Sequence, residues 1–404
     1  MAPVILPQRS ITDGPVEHLY DHETVRLFYN RSVSDPWWVD ARDYGVVGDG
    51  VTDDTVALQA AIDASTSVPK RPVFLPAGEY LVTQLLFKEG AGGIIGAGLA
   101  SAPHYGTTIW QADGVDASCL VNDPSLTGTE YWHWPLFENF LIRKVAGFTD
   151  TLGSGMEIDC RIGENFRVRR VHAINFPESG LRFNRGGTNL QIDSIGCFGN
   201  DAYGIDLRRT GSDVWQTVEM HMISGDNNGT ALIHVNVGGS AQEYVTIQGV
   251  KAESNGTDQV DVVLLENVSS MAVAIRDVSA IKVGGGGSAD NVVRVQNSTG
   301  YPHLQLQNIH TDGNYTNILS GNLGPTISNR HIGYAVAGFS HSGIQVEGSS
   351  VGFFGAAPAS KPTAYTPTNV TPDKAFNADA TTVEELADVL GTLIADLQTL
   401  GLVG

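Results

Sequence analysis

A pattern of apolar positions repeats along most of the chain. Three apolar residues with the spacing h-x-h-x-x-h, where h is apolar and x is any residue, recur seven times. The first residues of successive triplets are separated by 26, 24, 28, 27, 28 and 31 positions. The triplets are Phe140, Ile142, Val145; Phe166, Val168, Val171; Leu190, Ile192, Ile195; Val218, Met220, Ile223; Val245, Ile247, Val250; Val273, Ile275, Val278; and Leu304, Leu306, Ile309. A helical repeat would show a period of 3.6 over a dozen residues, so these segments predict short β-strands.

A second short strand follows most of the triplets, as at Leu181 and Phe183 or at Ile205 and Leu207. Two strands in each step of roughly 27 residues, with Gly and Asn at the corners, are typical of one coil of a β-solenoid. Coils stacked about 4.8 Å apart would bury the triplets as continuous columns. We therefore predict an all-β fold, a single-stranded parallel β-helix, over residues 40–325.

The two ends of the chain lack this repeat. Residues 1–39 are predicted to form an attachment segment that includes a short N-terminal helix within residues 15–31. After the solenoid we predict a short β-rich segment over residues 326–355, a Pro/Thr/Ala linker over 356–378 and an oligomerising helix over 379–404.

The last segment has the apolar spacing of a coiled coil. Its apolar residues, at intervals of 3, 4, 3, 4 and 3, are Val383, Leu386, Leu390, Leu393, Leu397 and Leu400. Thr381 or Thr382, with Glu384 or Glu385, can cap the start of this helix. A lone helix of this length is marginal in water, so we expect association with copies of the same chain. Packing back onto the solenoid is the alternative.

Composition and charge exclude several kinds of partner. The 404 residues include 24 basic and 44 acidic side chains, which gives a formal net charge of −20. Proteins that bind nucleic acid need a basic surface, so we predict no nucleic-acid partner. The three cysteines form no CxxC or Cys/His cluster and indicate buried thiols. We predict no metal site and no cofactor.

Residues 43–55, the helix expected after them and the strand-turn-strand segment at residues 73–82 resemble the N-terminal motif of pectate-lyase-like proteins. This resemblance implies a right-handed parallel β-helix but leaves the activity open, because the family includes polysaccharide lyases, glycoside hydrolases and phage tailspikes. Residues 351–358, the Thr/Pro-rich linker and the Leu-rich end are similar to the C-terminus of many tailed-phage structural proteins. Together the resemblances imply a phage minor tail protein or tailspike, commonly a homotrimer in that family.

Outward residues of successive coils should form ladders across the solenoid. The fourth positions of the triplets are Arg143, Arg169, Asp193, His221, Gln248, Arg276 and Gln307, and the second positions are Leu141, Arg167, Gln191, Glu219, Thr246, Ala274 and Gln305. Asp193 and Glu219 would then lie diagonally, with backbones about 8 Å apart.

We hypothesise that Asp193 and Glu219 are the carboxylate pair of an inverting glycoside hydrolase. Arg169 would favour ionised Asp193 as the base, Glu219 would be the acid, and His221 would lie beside them. The alternative is a solvated ladder of alternating charges. A second ladder, Glu157, Arg182, Asp206 and His234, allows the same hypothesis with less support.

Tryptophan pairs are the other candidates for binding a glycan. Trp37 and Trp38 are adjacent, and Trp132 and Trp134 flank His133 ahead of the first triplet. Exposed indole rings stack on sugar faces, so these four residues are predicted to bind glycan. Packing of the rings against a coil or a subunit is the alternative.

The sequence thus predicts a phage virion tail component whose solenoid recognises a host cell-surface polysaccharide and contacts other tail proteins. An active polysaccharide depolymerase on the same scaffold, hydrolase or lyase, is the first alternative, and a free bacterial pectate-lyase-like enzyme is the second. The N-terminus lacks the apolar core of a signal peptide, and no apolar stretch reaches membrane-spanning length. We therefore expect synthesis in the host cytoplasm and no membrane insertion, which disfavours the secreted enzyme.

Overall fold

The computed structural model describes residues 37–67, 69–99, 106–126, 131–145, 147–209, 214–237, 244–255, 261–268, 271–283, 291–297, 303–311, 315, 317–321, 350–351, 359–360, 368, 370–372 and 380–399. The chain divides into two units, residues 1–338 and residues 339–404. The predicted helix within residues 15–31 lies outside the described residues, and the five predicted segments remain a prediction. None of the described helices has the length and apolar character that a membrane crossing requires.

The described part of the first unit contains helix α1 (Thr55–Ser65), two short 3-10 helices (Ala41–Tyr44 and Pro124–Leu126) and many short strands. The strands are β1 (Val39–Asp40), β2 (Asp49–Asp53), β3 (Val73–Leu75), β4 (Gly78–Val82), β5 (Leu85–Phe87), β6 (Gly93–Gly96), β7 (Thr107–Gln111), β8 (Leu120–Asn122), β9 (Tyr131–Trp132), β10 (Leu136–Lys144), β11 (Met156–Ile158), β12 (Arg161–Ile162), β13 (Phe166–Ile174), β14 (Ser179–Phe183), β15 (Gly187–Phe198), β16 (Tyr203–Arg208), β17 (Trp215–Asp226), β18 (Ala231–Asn236), β19 (Tyr244–Asn255), β20 (Asp261–Glu266), β21 (Ala272–Val283), β22 (Asn291–Gln296), β23 (His303–Thr311) and β24 (Asn317–Gly321). The second unit contains β25 (Ser350–Val351), β26 (Ala359–Ser360) and helix α2 (Val383–Thr399).

The strands of the first unit form two parallel sheets, in which each strand pairs with its counterpart one coil along the chain. Sheet A has 15 strands, with the order β1-β3-β6-β10-β13-β15-β17-β19-β21-β23 along its main path. Sheet B has nine, in the order β24-β22-β20-β18-β16-β14-β11-β8-β5. The chain alternates between the sheets and advances one rung with each return, and crossover connections between parallel strands are right-handed. The predicted fold, an all-β right-handed parallel β-helix, is confirmed.

The spacing of the triplets has a cause in the backbone. In six consecutive coils the fifth residue of the triplet has a positive φ: Arg170 (49°), Ser194 (58°), Met222 (54°), Gly249 (71°), Asp277 (56°) and Asn308 (53°). We call these residues, with Asn139 of the preceding coil, the turn column. Side chains along a strand alternate between its two faces, and one left-handed residue shifts that alternation by a position. The third apolar residue of each triplet therefore also points into the core, as Ile195 does after Leu190 and Ile192.

The first triplet was predicted in the wrong register. Phe140 pairs with Val171, the third residue of the next triplet, and not with Phe166. The residues that align with Val168 and Val171 are Phe137 and Phe140, both fully buried, whereas Val145 is only half-buried. Phe140, Ile142 and Val145 reproduce the apolar spacing by coincidence, and the side chain of Lys144, beyond the triplet, is buried. Its ammonium is buried 2.7 Å from the Asp150 carboxylate, so the charge is paired inside the protein.

Helix α1 packs against the first coils of the solenoid and contributes Leu58 and Ile62 to the core. The Asp54 carboxylate accepts the N–H groups of Val47 (2.7 Å) and Gly48 (2.9 Å), which ties the preceding loop to the start of the helix. A helix over terminal strands protects edges that could otherwise pair with another chain. The motif that carries the family resemblance is therefore the N-terminal cover of the solenoid.

Helix α2 of the second unit has one packed face and one exposed face. The Thr382 hydroxyl accepts the Glu385 N–H at 3.1 Å, which confirms the predicted cap. Gly391 lies against Val370, so close that a Cβ at Gly391 would come within 2.5 Å of that side chain. The predicted apolar seam is on the exposed face, with exposed fractions of 81% for Val383, 52% for Leu386, 55% for Leu390 and 52% for Leu393.

Candidate functional site

Outward side chains of sheet A surround an open cleft of about 220 Å³ across β13, β15 and β17. It is lined by Arg167, Arg169, Gln191, Ile192, Asp193, Glu219 and His221. All of these except Ile192 are second or fourth residues of their triplets. The regular register of three adjacent strands therefore holds them on one rigid surface.

The four predicted catalytic residues come together in this cleft. Asp193 pairs with Arg169 on one neighbouring strand and with His221 on the other. Glu219 pairs with Gln191, and this places it diagonally across from Asp193 as the ladder predicted. The catalytic use of these residues stays a prediction.

Glu138 is a further carboxylate of this ladder that the sequence analysis did not identify. It pairs with Arg169, whereas Arg143, which the triplet pattern put there, pairs with Ile174. The left-handed residue Asn139, φ 63°, explains the shift, because it directly follows Glu138. Asparagine adopts this conformation readily, so an Asn aligned with the turn column was the sequence signal for the true register.

The Arg169 guanidinium lies between two carboxylates of the ladder. Its Nη1 is 3.8 Å from Glu138 Oε1, and its Nε is 3.6 Å from Asp193 Oδ2. The side chains of Arg169 and Asp193 are 40% and 36% exposed, so water screens their attraction and the ion pair adds little to stability. Its effect is to orient a cation whose remaining N–H groups face solvent.

The cleft therefore offers hydrogen-bond donors and acceptors side by side. Arg167 and Arg169 donate, the Asp193 and Glu219 carboxylates accept, and Gln191 can do both. Such a mixed set suits a ligand with many hydroxyl groups. The diagonal positions of Asp193 and Glu219 place their backbones about 8 Å apart.

Two of the four predicted tryptophans are buried, which corrects the expectation that all four are exposed. Trp132 is 1% exposed, packs against the Phe87 and Phe166 rings and donates its indole N–H to the Ala91 carbonyl at 2.9 Å. Trp38 is 4% exposed against Phe74, with ring centroids 5.5 Å apart. Packing inside the protein leaves neither ring a face for a sugar.

The other two tryptophans remain candidates. Trp37 is 46% exposed and Trp134 is 58% exposed. Trp134 is close to the cleft in the fold, because the carbonyl of the next residue, Pro135, accepts the N–H of Arg167 at 3.1 Å. An exposed indole at one end of the cleft is placed to stack on a ring of a bound ligand.

The second predicted ladder exists on sheet B, where Arg182, Asp206 and His234 are buried and the Glu157 side chain is 26% exposed. Glu157 pairs with Arg182, Arg182 with Asp206, and Asp206 with His234. The carboxylate of Asp206 lies 2.8 Å from His234 Nδ1, 3.2 Å from Arg182 Nε and 2.7 Å from Arg208 Nε. These contacts occupy Asp206 fully, so this ladder is an internal ion network rather than a binding surface.

His234 joins two carboxylates of this network. Its Nδ1 contacts Asp206, and its Nε2 lies 3.1 Å from Glu266 Oε2, an arrangement that needs an N–H on both nitrogens. Burial by itself raises the pKa of Asp206, but the hydrogen bond and charge of His234 and the charge of Arg208 outweigh it and lower that pKa. The pKa of Glu266 is lowered in the same way, since hydrogen bonds from Asn297 and His234 overcome its burial.

A third pair of carboxylates lies outside the cleft at the end of two long strands. Asp226 pairs directly with Glu253 on the next rung. Burial and, after it, the negative charge of Glu253 raise the pKa of Asp226. Glu253 also contacts the Lys251 ammonium at 2.7 Å. Two like charges on neighbouring rungs disfavour each other, so this pair opposes folding when both are ionised.

Within the part of the chain that the structure describes, no group of three or more His, Cys, Asp or Glu side chains is arranged to hold a metal ion. The three cysteines are buried and free, and burial raises the pKa of the Cys119 thiol to about 12.

The fold and the N-terminal motif resemble those of pectate-lyase-like β-helix proteins. Residues 38–156 match the family described as Rhamnogalacturonase A/epimerase, pectate lyase-like. This match confirms the resemblance that the sequence motifs indicated.

Particular relatives extend the comparison. A segment of 84 residues is 40% identical to mannuronan C5-epimerase AlgE3 of Azotobacter vinelandii and covers 19% of this chain and 4% of the epimerase. A segment of 154 residues is 29% identical to the pre-neck appendage protein of Bacillus phage B103 and covers 37% of this chain and 17% of that protein. The tailspike protein of Acinetobacter baumannii phage AM24 superposes with a TM-score of 0.47 and 11% identity over 71% of this chain and 52% of that chain. The chain thus spans a small part of the curated relatives it matches.

Proposed function

We propose that this chain is a minor tail protein or tailspike of a phage virion, and that the cleft on sheet A binds a polysaccharide of the host cell surface. The observation that carries the proposal is the cleft itself, in which six polar side chains from three strands form a rigid mixed set of donors and acceptors. The relatives support it, since one is a phage appendage protein and another is named for mannuronan, a polysaccharide.

Binding would use Arg169 as the central donor. Glu138 and Asp193 hold its guanidinium over the sheet, and sugar hydroxyls can accept from its free N–H groups. The carboxylates of Asp193 and Glu219, on the next two strands, accept hydrogen bonds from sugar hydroxyl groups. Trp134, just before strand β10, can stack on a sugar ring. Because rungs are about 4.8 Å apart, successive hydroxyl-bearing groups of an extended ligand can meet successive strands.

Binding of the full chain to a panel of immobilised polysaccharides tests this proposal. The panel contains bacterial capsular and cell-wall polysaccharides and alginate. We expect one polysaccharide to bind, and Arg169→Gln to weaken that binding by about tenfold, which corresponds to about 1.4 kcal/mol. Arg276→Gln is the matched control, because Arg276 has the same triplet position on β21 outside the cleft. No binding by the unchanged protein, or equal losses in both variants, would contradict the proposal.

The second candidate function is a polysaccharide depolymerase, and the diagonal carboxylates Asp193 and Glu219 favour it. General acid and general base separated by room for a water would suit an inverting hydrolase. Release of reducing ends from the bound polysaccharide would show cleavage. A lyase would also produce the absorbance of an unsaturated sugar, whereas a hydrolase would not. Asp193→Asn and Glu219→Gln should each abolish cleavage, and cleavage that survives in both variants removes this pair.

We further propose that the chain assembles as a homotrimer through helix α2 and attaches to other tail proteins. The exposed seam of Leu386, Leu390 and Leu393 supports self-association, because an isolated 17-residue helix with an apolar face is marginal in water. Sedimentation of the full chain should give three copies, and Leu390→Lys should give monomers. Labelling intact virions for this chain distinguishes a tail component from a free enzyme.

A further inference from the structure

The turn column contains one residue that the fold does not account for. Left-handed backbone favours Gly, Asn and Asp, and the column has Asn139, Gly249, Asp277 and Asn308 at four of its seven positions. Met222 has a φ of 54° although its side chain is long, apolar and neither small nor able to bond to its own backbone. Such a residue in this conformation is strained.

Two neighbours in the column show what normally compensates for this strain. Arg170 reaches back along the column and contacts the side chains of Glu138 and Asn139. Ser194 donates its hydroxyl to the Asp193 carboxylate at 3.2 Å. Met222 has only a weak contact of this kind, because the Ser194 hydroxyl lies 3.9 Å from its sulfur and also donates to the nearer Asp193 carboxylate at 3.2 Å.

The surroundings of Met222 leave its side chain uncovered. In the turn column, Met222 lies between Ser194 of the preceding coil and Gly249 of the following coil. A Cβ at Gly249 would lie 3.8 Å from Met222 Cγ. With small residues on both sides, Met222 is 66% exposed. The methionine therefore neither fills the core nor covers a neighbour, so burial does not explain its presence.

Its position relates it to the cleft, because Met222 directly follows His221, which lines the cleft on β17. Resting on the proposed function, we propose that Met222 is a specificity residue of this site, which contacts an aliphatic C–H surface of the bound polysaccharide. A thioether chain is flexible and polarizable, and it suits an apolar patch of variable shape. Two chemical sources offer such a patch, the C–H face of a pyranose ring and the methyl group of an O-acetyl substituent.

Three variants of the full chain test this inference. Met222→Asn introduces a side chain that tolerates the left-handed conformation, and it removes the apolar contact. Met222→Leu keeps an apolar side chain and the strain. Asn308→Met is the matched control, because it puts methionine at the same column position on β23, outside the cleft.

We expect Met222→Asn to raise Tm by about 2 °C, since relief of backbone strain stabilises the fold. The same variant should weaken binding to the polysaccharide found on the panel by about fivefold. Met222→Leu should bind within about twofold of the unchanged protein. Asn308→Met should lower Tm by about 2 °C or more, because it adds strain and removes the hydrogen bond to Asp277, and should leave binding unchanged.

The results separate this inference from the proposed function. If the unchanged protein binds and Met222→Asn binds equally well, the role of Met222 is wrong and the proposed function stands. If Met222→Asn does not raise Tm, the strain argument is overturned. If the unchanged protein binds nothing on the panel, both proposals fail. Removal of O-acetyl groups from the polysaccharide identifies the source, because only an acetyl contact makes Met222→Asn and the unchanged protein equal after that treatment.

Discussion

Two ladders of this molecule carry the same side chains in the same order and differ in the burial of their Arg, Asp and His members. On sheet A the order is Glu138, Arg169, Asp193 and His221, and on sheet B it is Glu157, Arg182, Asp206 and His234. The Asp193 side chain is 36% exposed, whereas the Asp206 side chain is fully buried.

The difference shows that burial, rather than residue type, decides whether a ladder is available to a ligand or stabilises the fold. In the exposed ladder the arginine keeps free donors, and its ion pairs are long, at 3.6 and 3.8 Å. In the buried ladder the Asp206 carboxylate contacts Arg182, Arg208 and His234 at 2.7 to 3.2 Å. We therefore expect substitutions in the first ladder to change binding and equivalent substitutions in the second to change stability.

The largest expected effect is on the buried ladder. Asp206→Asn removes the buried charge that contacts Arg182, Arg208 and His234, although Arg182 keeps Glu178 and His234 keeps Glu266, and it should lower the free energy of unfolding by about 3 kcal/mol. The matched change, Asp193→Asn, should cost less than about 1 kcal/mol because that ion pair is exposed. Chemical denaturation of both variants measures the difference, and equal losses would break the comparison.

Acid should weaken the fold through the same network. The pKa values of Asp206 and Glu266 are lower in the folded chain than in the unfolded chain. Their ionised forms therefore stabilise the fold above about pH 4 to 5, and this stabilisation is lost as the pH falls through the lowered values.

Tm measured against pH should fall steeply below about pH 4 in the unchanged protein and less steeply in the double variant Asp206→Asn, Glu266→Gln. Parallel curves for the two proteins would show that other carboxylates cause the acid transition.

The two glutamates at the start of the ladders should behave differently. Glu138→Gln removes one of the carboxylates that orient Arg169, and should weaken polysaccharide binding by up to about fivefold. Glu157, whose side chain is 26% exposed, accepts hydrogen bonds from Ser118 and Asn184 away from the cleft, so Glu157→Gln should lower Tm without changing the affinity of the folded protein. A loss of binding in Glu157→Gln at a temperature where it is folded would argue against the division of roles.

The smallest expected effect concerns the pair Asp226 and Glu253, outside both ladders. The pKa of Asp226 is raised in the folded chain, so this residue stabilises the fold below the ordinary carboxyl pKa, and that stability is lost as the pH rises through the raised value. Asp226→Asn should therefore be slightly more stable than the unchanged protein at neutral pH. Tm at pH 7 and at low pH checks this, and a lower Tm at pH 7 would contradict it.

Much of the architecture could be predicted from residue spacing, because a solenoid repeats one local rule. Leu190, Ile192 and Ile195 obey the same spacing as the triplets before and after them, and in-register stacking then places Asp193 beside Arg169 and His221. The diagonal placement of Glu219 followed from the same rule. The cap at Thr382 was also predictable, since a hydroxyl three residues before a backbone N–H is a local arrangement.

The first coil shows where that rule stops. Its inward triplet residues are Phe137 and Phe140 and its left-handed residue is Asn139, but Phe140, Ile142 and Val145 show the same apolar spacing, so spacing alone selected the wrong register and put Arg143 in place of Glu138. The buried pair of Lys144 and Asp150 leaves no periodic signal in the sequence either.

By itself the sequence determined the β-helix, the neighbours within most ladders and the apolar seam of helix α2, because each depends on interactions that recur at a constant spacing. The tertiary structure alone decided which of two chemically equal ladders faces water, which tryptophans are buried and where the first coil begins. These depend on what covers a surface, and covering segments are distant in the chain and follow no period. The unusual backbone of Met222 became visible in the same way, only when the coils were stacked.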